Sequence, residues 1–203
     1  ILLPALRKVK EQAKGSVCMN NLRQIGFAAG FYAEAWDLYV PRGMGNYPPW
    51  FELFMPFLAQ KPINGDYRSV KAFRCPSYPD KEQTVCYVVS SWFFAGRSDV
   101  AGAEITEPTK LTECRHPSGT IYIADNENGT WRDIITMSSS AGLARCDVWN
   151  TGHLPISENQ DITTGRRVAK SRHGNGCNVL YLDWHVERIA AKDMTVGMWN
   201  DKK

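Results

Sequence analysis

One long helical pattern at the start of the chain constrains the fold more than any other feature of the sequence. From Leu2 onward, larger apolar side chains recur mostly every three or four residues, at Leu6, Val9, Ala13, Val17, Leu22, Ile25, Ala29, Tyr32 and Trp36. Charged and amide side chains lie on the opposite face. This spacing predicts an amphipathic helix of about thirty residues that ends near Asp37. Because Gly15, Gly26 and Gly30 each lower helix propensity by about 1 kcal/mol, the helix needs packing against a sheet.

The first six residues form an apolar run, from Ile1 to Leu6, that ends abruptly at Arg7 and Lys8. A basic flank directly after an apolar segment is common where a helix leaves a membrane. We therefore expect the helix to continue a membrane anchor, although an exposed amphipathic first turn explains the same residues. The sequence contains no run of about 18 apolar residues, the length that spans a bilayer.

After this spine helix over residues 1–36, the patterns predict a globular head over residues 37–203. Aromatic and aliphatic residues from Trp50 to Leu58 predict a short buried helix. A region rich in Ser, Thr, Gly and Asn, from Ser138 to Ser171, predicts a long surface excursion. Short β-rich runs predict antiparallel strands at Val85 to Phe94, Thr120 to Ala124, Ile134 to Met137 and Asn178 to Ile189. The expected fold class is α+β, with the long helix packed on an antiparallel sheet that carries long loops.

Charge and motifs exclude several classes of function. The chain has 24 Lys and Arg against 21 Asp and Glu, a formal charge of +3, with no basic block outside the opening helix. Nucleic acid is therefore not an expected partner. The sequence also contains no GxSxG, Walker or GxGxxG motif, so we expect no enzymatic activity.

Specific motifs stand at both ends of the chain. The segment Leu2 to Lys8 reads Leu-Leu-Pro-Ala-Leu-Arg-Lys, and Cys18 to Gly26 reads Cys-x-Asn-Asn-Leu-x-Gln-Ile-Gly. Near the other end, nine residues separate His173 from Asp183. These motifs resemble bacterial prepilin-like proteins, which have a prepilin-type cleavage and methylation segment and a C-terminal H-X9-DG domain. Weaker similarities lie between them, at Phe73 to Ser77 and at His116 to Thr120, the latter running into Ile121 to Asp125.

The resemblance implies a pilin-like fold and a non-enzymatic structural subunit. Such a subunit belongs to a type IV pilus-like or type II secretion pseudopilus-like assembly, with other pilin or pseudopilin subunits as partners. It also implies a prepilin peptidase that acts on a full-length precursor, and an inner membrane that holds the hydrophobic segment before assembly. The head is then expected in the periplasm or outside the cell.

The chain departs from the family at one position, because the family's Asp-Gly is Asp183-Trp184 here. We expect the family's glycine to supply a positive φ in a tight turn between two strands. A bulky residue in that conformation costs about 1–2 kcal/mol. Either the turn differs in this chain, or Trp184 gains packing that offsets the cost.

Two sets of side chains are candidate metal ligands. A C-terminal hairpin around Asp183 and Trp184 brings His173, Asp183 and His185 close together, and these groups suit Zn²⁺. The favoured alternative is a hydrogen bond between His173 and Asp183, since no HExxH or comparable spacing is present. Asp125 and Glu127, in an oxygen-rich turn, suit Ca²⁺, although a solvated turn explains them too. No resident cofactor is expected beyond these Zn²⁺ and Ca²⁺ candidates.

The cysteines are Cys18, Cys75, Cys86, Cys114, Cys146 and Cys177. An exported head lies in an oxidising compartment, where disulfides form. Cys75 and Cys86, on either side of a predicted turn, are a candidate pair, whereas Cys18 on the helix can remain a buried thiol. No CxxC is present, which argues against a tetrahedral zinc cluster.

The sequence is compatible with two further functions. Trp131, Trp149 and Trp199 lie in polar surroundings, where an exposed ring can stack on a sugar, although such rings more often cap the edge of a core. A cell-surface glycan or ligand-binding module, using the Ser138 to Ser171 region, is therefore the second hypothesis. A metal-dependent enzyme that uses His173, Asp183 and His185 is the third.

Overall fold

The computed structural model describes residues 2–43, 48–128, 146–161 and 164–203, with side chains from residue 3 onward. Helix α1 spans Leu2–Ala35, which confirms the predicted long helix. It ends where Asp37 and Leu38 adopt φ values of 49° and 64°. The Leu38 amide then donates a hydrogen bond to the Ala33 carbonyl at 2.7 Å, a backbone pattern that commonly closes a helix.

The second helix is shorter than its apolar pattern predicts. Helix α2 spans Trp50–Phe54 and continues as a 3-10 turn over Met55–Phe57. Pro56 lies in that turn, and it cannot donate the backbone hydrogen bond that a further α-helical turn requires. Other 3-10 turns are Tyr67–Ser69, Lys71–Phe73, Leu111–Glu113, Pro117–Gly119, Thr151–His153, Ala191–Asp193 and Val196–Met198.

Short strands make up the rest of the regular structure. They are β1 (Tyr39–Val40), β2 (Tyr87–Ser90), β3 (Trp92–Phe93), β4 (Ala103–Glu104), β5 (Thr109–Lys110), β6 (Ile121–Asp125), β7 (Asp147–Val148), β8 (Gly176–Tyr181) and β9 (Val186–Ala190). The strands predicted within residues 85–94, 120–124 and 178–189 are thereby confirmed. The strand predicted at Ile134 to Met137 lies outside the described residues.

Five of these strands form the main sheet, in the order β7-β2-β6-β8-β9. Its neighbours are antiparallel except at the edge, where β2 and β7 run parallel. Two small antiparallel pairs, β1 with β5 and β3 with β4, lie outside it. The fold is therefore α+β, and the predicted antiparallel sheet is correct except for its parallel edge.

The main sheet is buried on both faces. Because side chains alternate along a strand, Tyr87 and Val89 of β2 join the core that contains α1, whereas Val88 joins a second core on the opposite face. Leu180 and Val179 of β8 divide in the same way. The sheet thus separates a core beneath α1 from a second core to which the C-terminal part of the chain contributes, together with residues such as Trp92 and Phe94.

Close approach between α1 and the β8–β9 hairpin explains two glycines within the helix. A Cβ atom at Gly26 would lie 2.9 Å from Leu180 Cδ1, and one at Gly30 would lie 3.2 Å from Trp184 Nε1. Each glycine lowers the helix propensity of α1, and the close contact with the hairpin that it permits offsets this loss. The buried face of α1 includes Cys18, Leu22, Ile25, Ala29 and Tyr32.

The prediction of a surface excursion from Ser138 to Ser171 is wrong for much of the part of this segment that the structure describes. Strand β7 joins the main sheet, and Leu154, Val168 and Ala169 are buried in the second core. These apolar residues enter the core singly, so they leave no periodic pattern in the sequence. Residues 138–145 and 162–163 lie outside the described residues.

The predicted C-terminal hairpin is confirmed, and Trp184 occupies its turn with a φ of 73°. Its indole ring packs against Tyr122 with centroids 6.1 Å apart, and it also lies over Gly30. A bulky residue therefore adopts the left-handed conformation here while its side chain extends the core beneath α1.

We predict that Trp184→Ala is more destabilising than Trp184→Gly. Both variants lose the indole packing, but only alanine keeps the left-handed strain, which costs about 1 kcal/mol or slightly more. The measurement is the free energy of unfolding in urea for both variants and the parent chain. A glycine variant no more stable than the alanine variant would contradict this explanation of the turn.

Candidate functional site

Four side chains with strong ligand chemistry meet beneath α1, and we call them the Cys-Asp-His cluster. Its members are Cys18, Cys75, Asp125 and His173, all of them buried. One potential ligand atom from each lies within 4.8 Å of those of the other three. The cluster therefore joins segments that are far apart in the sequence.

Each member is positioned by a different element. Cys18 lies on the buried face of α1, and Asp125 ends β6. Cys75 follows the 3-10 turn Lys71–Phe73, which is tied to the head because Phe73 accepts a hydrogen bond from the Cys86 amide at 2.8 Å.

His173 lies at the start of a tight turn that leads into β8. Its amide donates to the Gly176 carbonyl at 3.1 Å. Gly174 and Asn175, inside the turn, both have a φ of 55°. This left-handed turn reverses the chain immediately after His173, so the imidazole is directed beneath α1 as β8 begins.

Short polar contacts connect the four members. The Cys18 thiol donates to Asp125 Oδ1 at 3.1 Å, and the Tyr87 hydroxyl lies 3.3 Å from Cys18 Sγ. The other Asp125 oxygen accepts a hydrogen bond from the Asn178 amide at 2.7 Å. His173 Nε2 lies 3.3 Å from Cys75 Sγ and 3.5 Å from Asp125 Oδ2.

Burial and these contacts shift the pKa values of the acidic groups in opposite directions. The hydrogen bond with Cys18, followed by that with His173, lowers the pKa of Cys75 to about 4 although burial opposes the shift. Burial raises the pKa of Asp125 to about 6, and negative charge on Cys75 adds to the effect. Burial also raises the pKa of Cys18 well above its usual value. The site therefore favours a thiolate at Cys75 rather than at Cys18.

The histidine of the cluster responds to two opposing influences. Burial lowers the pKa of His173, but its hydrogen bond to Cys75 and the negative charge of Asp125 outweigh burial and raise the pKa overall. The imidazole thus lies beside two groups that favour its charged form, in the way that oppositely charged neighbours stabilise each other.

The chemistry of these donors suits a metal ion. Two sulfurs, an imidazole and a carboxylate are the ligand types of protein-bound zinc. A thiolate beside an imidazole is also the arrangement of a cysteine nucleophile. In this structure Cys75 is only 3% exposed, so its sulfur is screened from solvent.

The structure divides both of the metal-ligand sets suggested by the sequence. Asp183 and His185 lie at the exposed hairpin turn, with Asp183 Oδ1 2.5 Å from His185 Nδ1, whereas His173 is buried against Asp125 and Cys75. The suggested hydrogen bond between His173 and Asp183 is accordingly replaced by contacts with those two residues. Glu127 accepts a hydrogen bond from Arg166 Nε at 2.8 Å, so its charge is neutralised away from Asp125.

The suggested disulfide between Cys75 and Cys86 is not formed in the structure. Cys75 and Cys86 are both free thiols. The sulfur of Cys75 contacts His173, and burial raises the pKa of Cys86 to about 12. The two cysteines therefore have different environments, with only Cys75 directed into the cluster.

Sequence reasoning identified His173 and Asp125 but assigned them to different sites. Local spacing could not reveal the cluster, because its members come from four separate segments and no pair has CxxC spacing. A signal was nevertheless present, since each donor lies in one of the segments that carry the family resemblance: Cys18 to Gly26, Phe73 to Ser77, Ile121 to Asp125, and the segment that begins at His173.

Two of the tryptophans suggested as sugar-stacking platforms can be placed. Trp199 is fully buried and packs beside Trp92, with ring centroids 6.5 Å apart. Trp149 is half-buried and packs edge-on against His153 at 5.0 Å. Trp131 lies outside the described residues. The environments of Trp149 and Trp199 match core packing better than an exposed stacking platform.

A second surface of interest is the outer face of α1. Its large apolar side chains are exposed at Leu3, Leu6, Val9, Val17, Phe27 and Phe31. At 100° per residue these positions fall within about 120° of arc. Their exposure is substantial, reaching 71% at Leu3 and 68% at Phe27. The helix thus has an apolar outer face in addition to the face that contacts the head.

Comparisons with family models, with curated proteins and with solved structures give no match to this chain. Within the part of the chain that the structure describes, no helix has both the length and the hydropathy needed to cross a membrane.

We predict that Cys18→Ala costs more stability than Cys177→Ala when a chelator is present to remove any bound metal. Both thiols are fully buried, so the two variants lose similar packing. Only Cys18→Ala leaves Asp125 Oδ1 without its donor, which adds at least about 1 kcal/mol. Urea unfolding of both variants is the measurement, and equal losses would contradict a role for this hydrogen bond.

Proposed function

We propose that the chain is a non-enzymatic structural subunit of a type IV pilus-like or type II secretion pseudopilus-like assembly, joined to other copies through α1. The observation that carries the proposal is the apolar outer face of α1. Large apolar side chains exposed along one face of a helix can mark an interaction site. A second helix with the same face can bury it by ridge-and-groove packing.

The shape of the helix supports this proposal. Side chains at residues 3–13 are all exposed, and the buried face of α1 begins near Cys18. The first third of the helix is therefore mostly free of the head, although the Ser77 hydroxyl donates a hydrogen bond to Glu11 Oε2 at 3.4 Å. Neighbouring subunits can pack against that part without displacing the head from its own helix.

The family resemblance supports the remaining parts of the proposal. It supplies the prepilin peptidase, the membrane-held hydrophobic segment and the periplasmic or extracellular location of the head. The α+β architecture, with one long N-terminal helix laid across a sheet, agrees with the pilin-like fold that the resemblance implies.

We predict that the double variant Phe27→Asp, Phe31→Asp lowers the assembled fraction by about tenfold or more, since packing a helix over two carboxylates would bury unpaired charge. The precursor is expressed with a prepilin peptidase, and the fraction in sheared fibres or in cross-linked oligomers is measured. Processing of the precursor by the peptidase is expected in the parent and in the variant.

The matched control is Val100→Asp, Ile156→Asp. These residues are also exposed, at 72% and 57%, but they lie on the head, so this variant is expected to assemble like the parent. A precursor that is never processed, or equal loss of assembly in both double variants, would contradict the proposal.

A further inference from the structure

We propose that Cys18, Cys75, Asp125 and His173 bind one Zn²⁺ ion, which fastens α1 to the head. The inference stands apart from the proposed function, since it concerns the interior of a single chain. It starts from the observation that one potential ligand atom of each residue lies within 4.8 Å of those of the other three.

The distances are close to those of a tetrahedral site. Bonds of about 2.0 Å to nitrogen or oxygen and about 2.3 Å to sulfur place neighbouring ligand atoms about 3.3–3.8 Å apart. Three of the contacts within the cluster measure 3.1 Å from Cys18 to Asp125, 3.3 Å from Cys75 to His173 and 3.5 Å from His173 to Asp125. Only small side-chain movements are needed to close these atoms around an ion.

The donor types select zinc among the common metal ions. Ca²⁺ and Mg²⁺ take oxygen ligands, and the cluster offers a single carboxylate. Thiolates with imidazole suit Zn²⁺, and four protein ligands complete its preferred tetrahedral coordination. Because all four donors are buried, such a site is closed and has a structural role.

Charge provides a separate argument for an ion. Three of the four side chains become anionic when they act as ligands, and a buried anion without a partner is costly. A divalent cation balances two of those charges. Arg172, immediately before His173, donates to the Asn126 carbonyl at 2.7 Å and to Asn128 Oδ1 at 2.9 Å, which holds another cation next to the site.

Neighbouring groups already orient the ligands from outside. The Asn178 amide fixes one Asp125 oxygen at 2.7 Å, and the Tyr87 hydroxyl contacts Cys18 Sγ at 3.3 Å. Supporting hydrogen bonds of this kind set the orientation and affinity of metal ligands. Tyr87 lies on β2 and Asn178 on β8, so two strands of the main sheet support the ligands.

A cleft lies beside the cluster. It has a volume of about 640 Å³ and lies between α1 and the turn before β8, with Gly15, Ser16, Met19, Arg172 and His173 among its lining residues. The absence of a side chain at Gly15 leaves room beside the imidazole, because a Cβ there would lie 3.4 Å from His173 Nδ1. His173 is thus the member of the cluster that borders the cleft.

The test begins with the parent chain, purified from zinc-supplemented cells and analysed for metal by mass spectrometry. One zinc per chain is expected. Replacement by Co²⁺ is expected to give intense visible bands of tetrahedral cobalt and a near-ultraviolet band from thiolate coordination. A chain without stoichiometric zinc and without these cobalt bands would overturn the proposal, as would a Cys18–Cys75 disulfide in the purified protein.

Variants then assign the ligands. Cys18→Ser and Cys75→Ser are each expected to lose the bound zinc and the thiolate band. The controls Cys177→Ala and the double variant Asp183→Ala, His185→Ala are expected to keep both. Loss of zinc only in the double variant would move the site to the hairpin turn and contradict the proposal. Because metal content is measured on unassembled chains, failure of fibre formation leaves this result unaffected.

Discussion

Packing of α1 against the β8–β9 hairpin is the contact on which the rest of the structure depends. Gly26 and Gly30 allow the hairpin to reach the helix, and Trp184 fills the space beside them. The price in helix propensity is about 1 kcal/mol per glycine, and burial of one helix face offsets it. One face of α1 packs against the head, and its other apolar face remains exposed. The exposed face is therefore free to contact another molecule.

The Cys-Asp-His cluster lies where this contact begins. Cys18 is an early buried residue of α1, and its partners come from the loop after Phe73, from the end of β6 and from the turn before β8. Bringing together segments so distant in sequence costs loop-closure entropy, which the interactions of the folded cluster must offset. A metal at this position would anchor the helix at the point where it leaves the head.

The sequence allowed the elements with strong periodicity to be predicted. Helix α1, the strand runs around Val88 and Ile123, and the β8–β9 hairpin all follow from apolar spacing. The core contributions of Leu154 and Val168 could not be predicted, because isolated apolar residues in a polar segment have no period. The cluster was missed for a related reason. His173 and Asp125 were recognised as ligand types, but only tertiary packing brings them to Cys18 and Cys75.

In the proposed zinc site, donors from four segments hold one zinc ion beneath α1. X-ray absorption spectroscopy at the zinc edge is the decisive measurement, because it reports the atoms around the metal in solution. We expect two sulfur neighbours at about 2.3 Å and two nitrogen or oxygen neighbours at about 2.0 Å. A first shell made only of nitrogen and oxygen, or one with more than four neighbours, would contradict it.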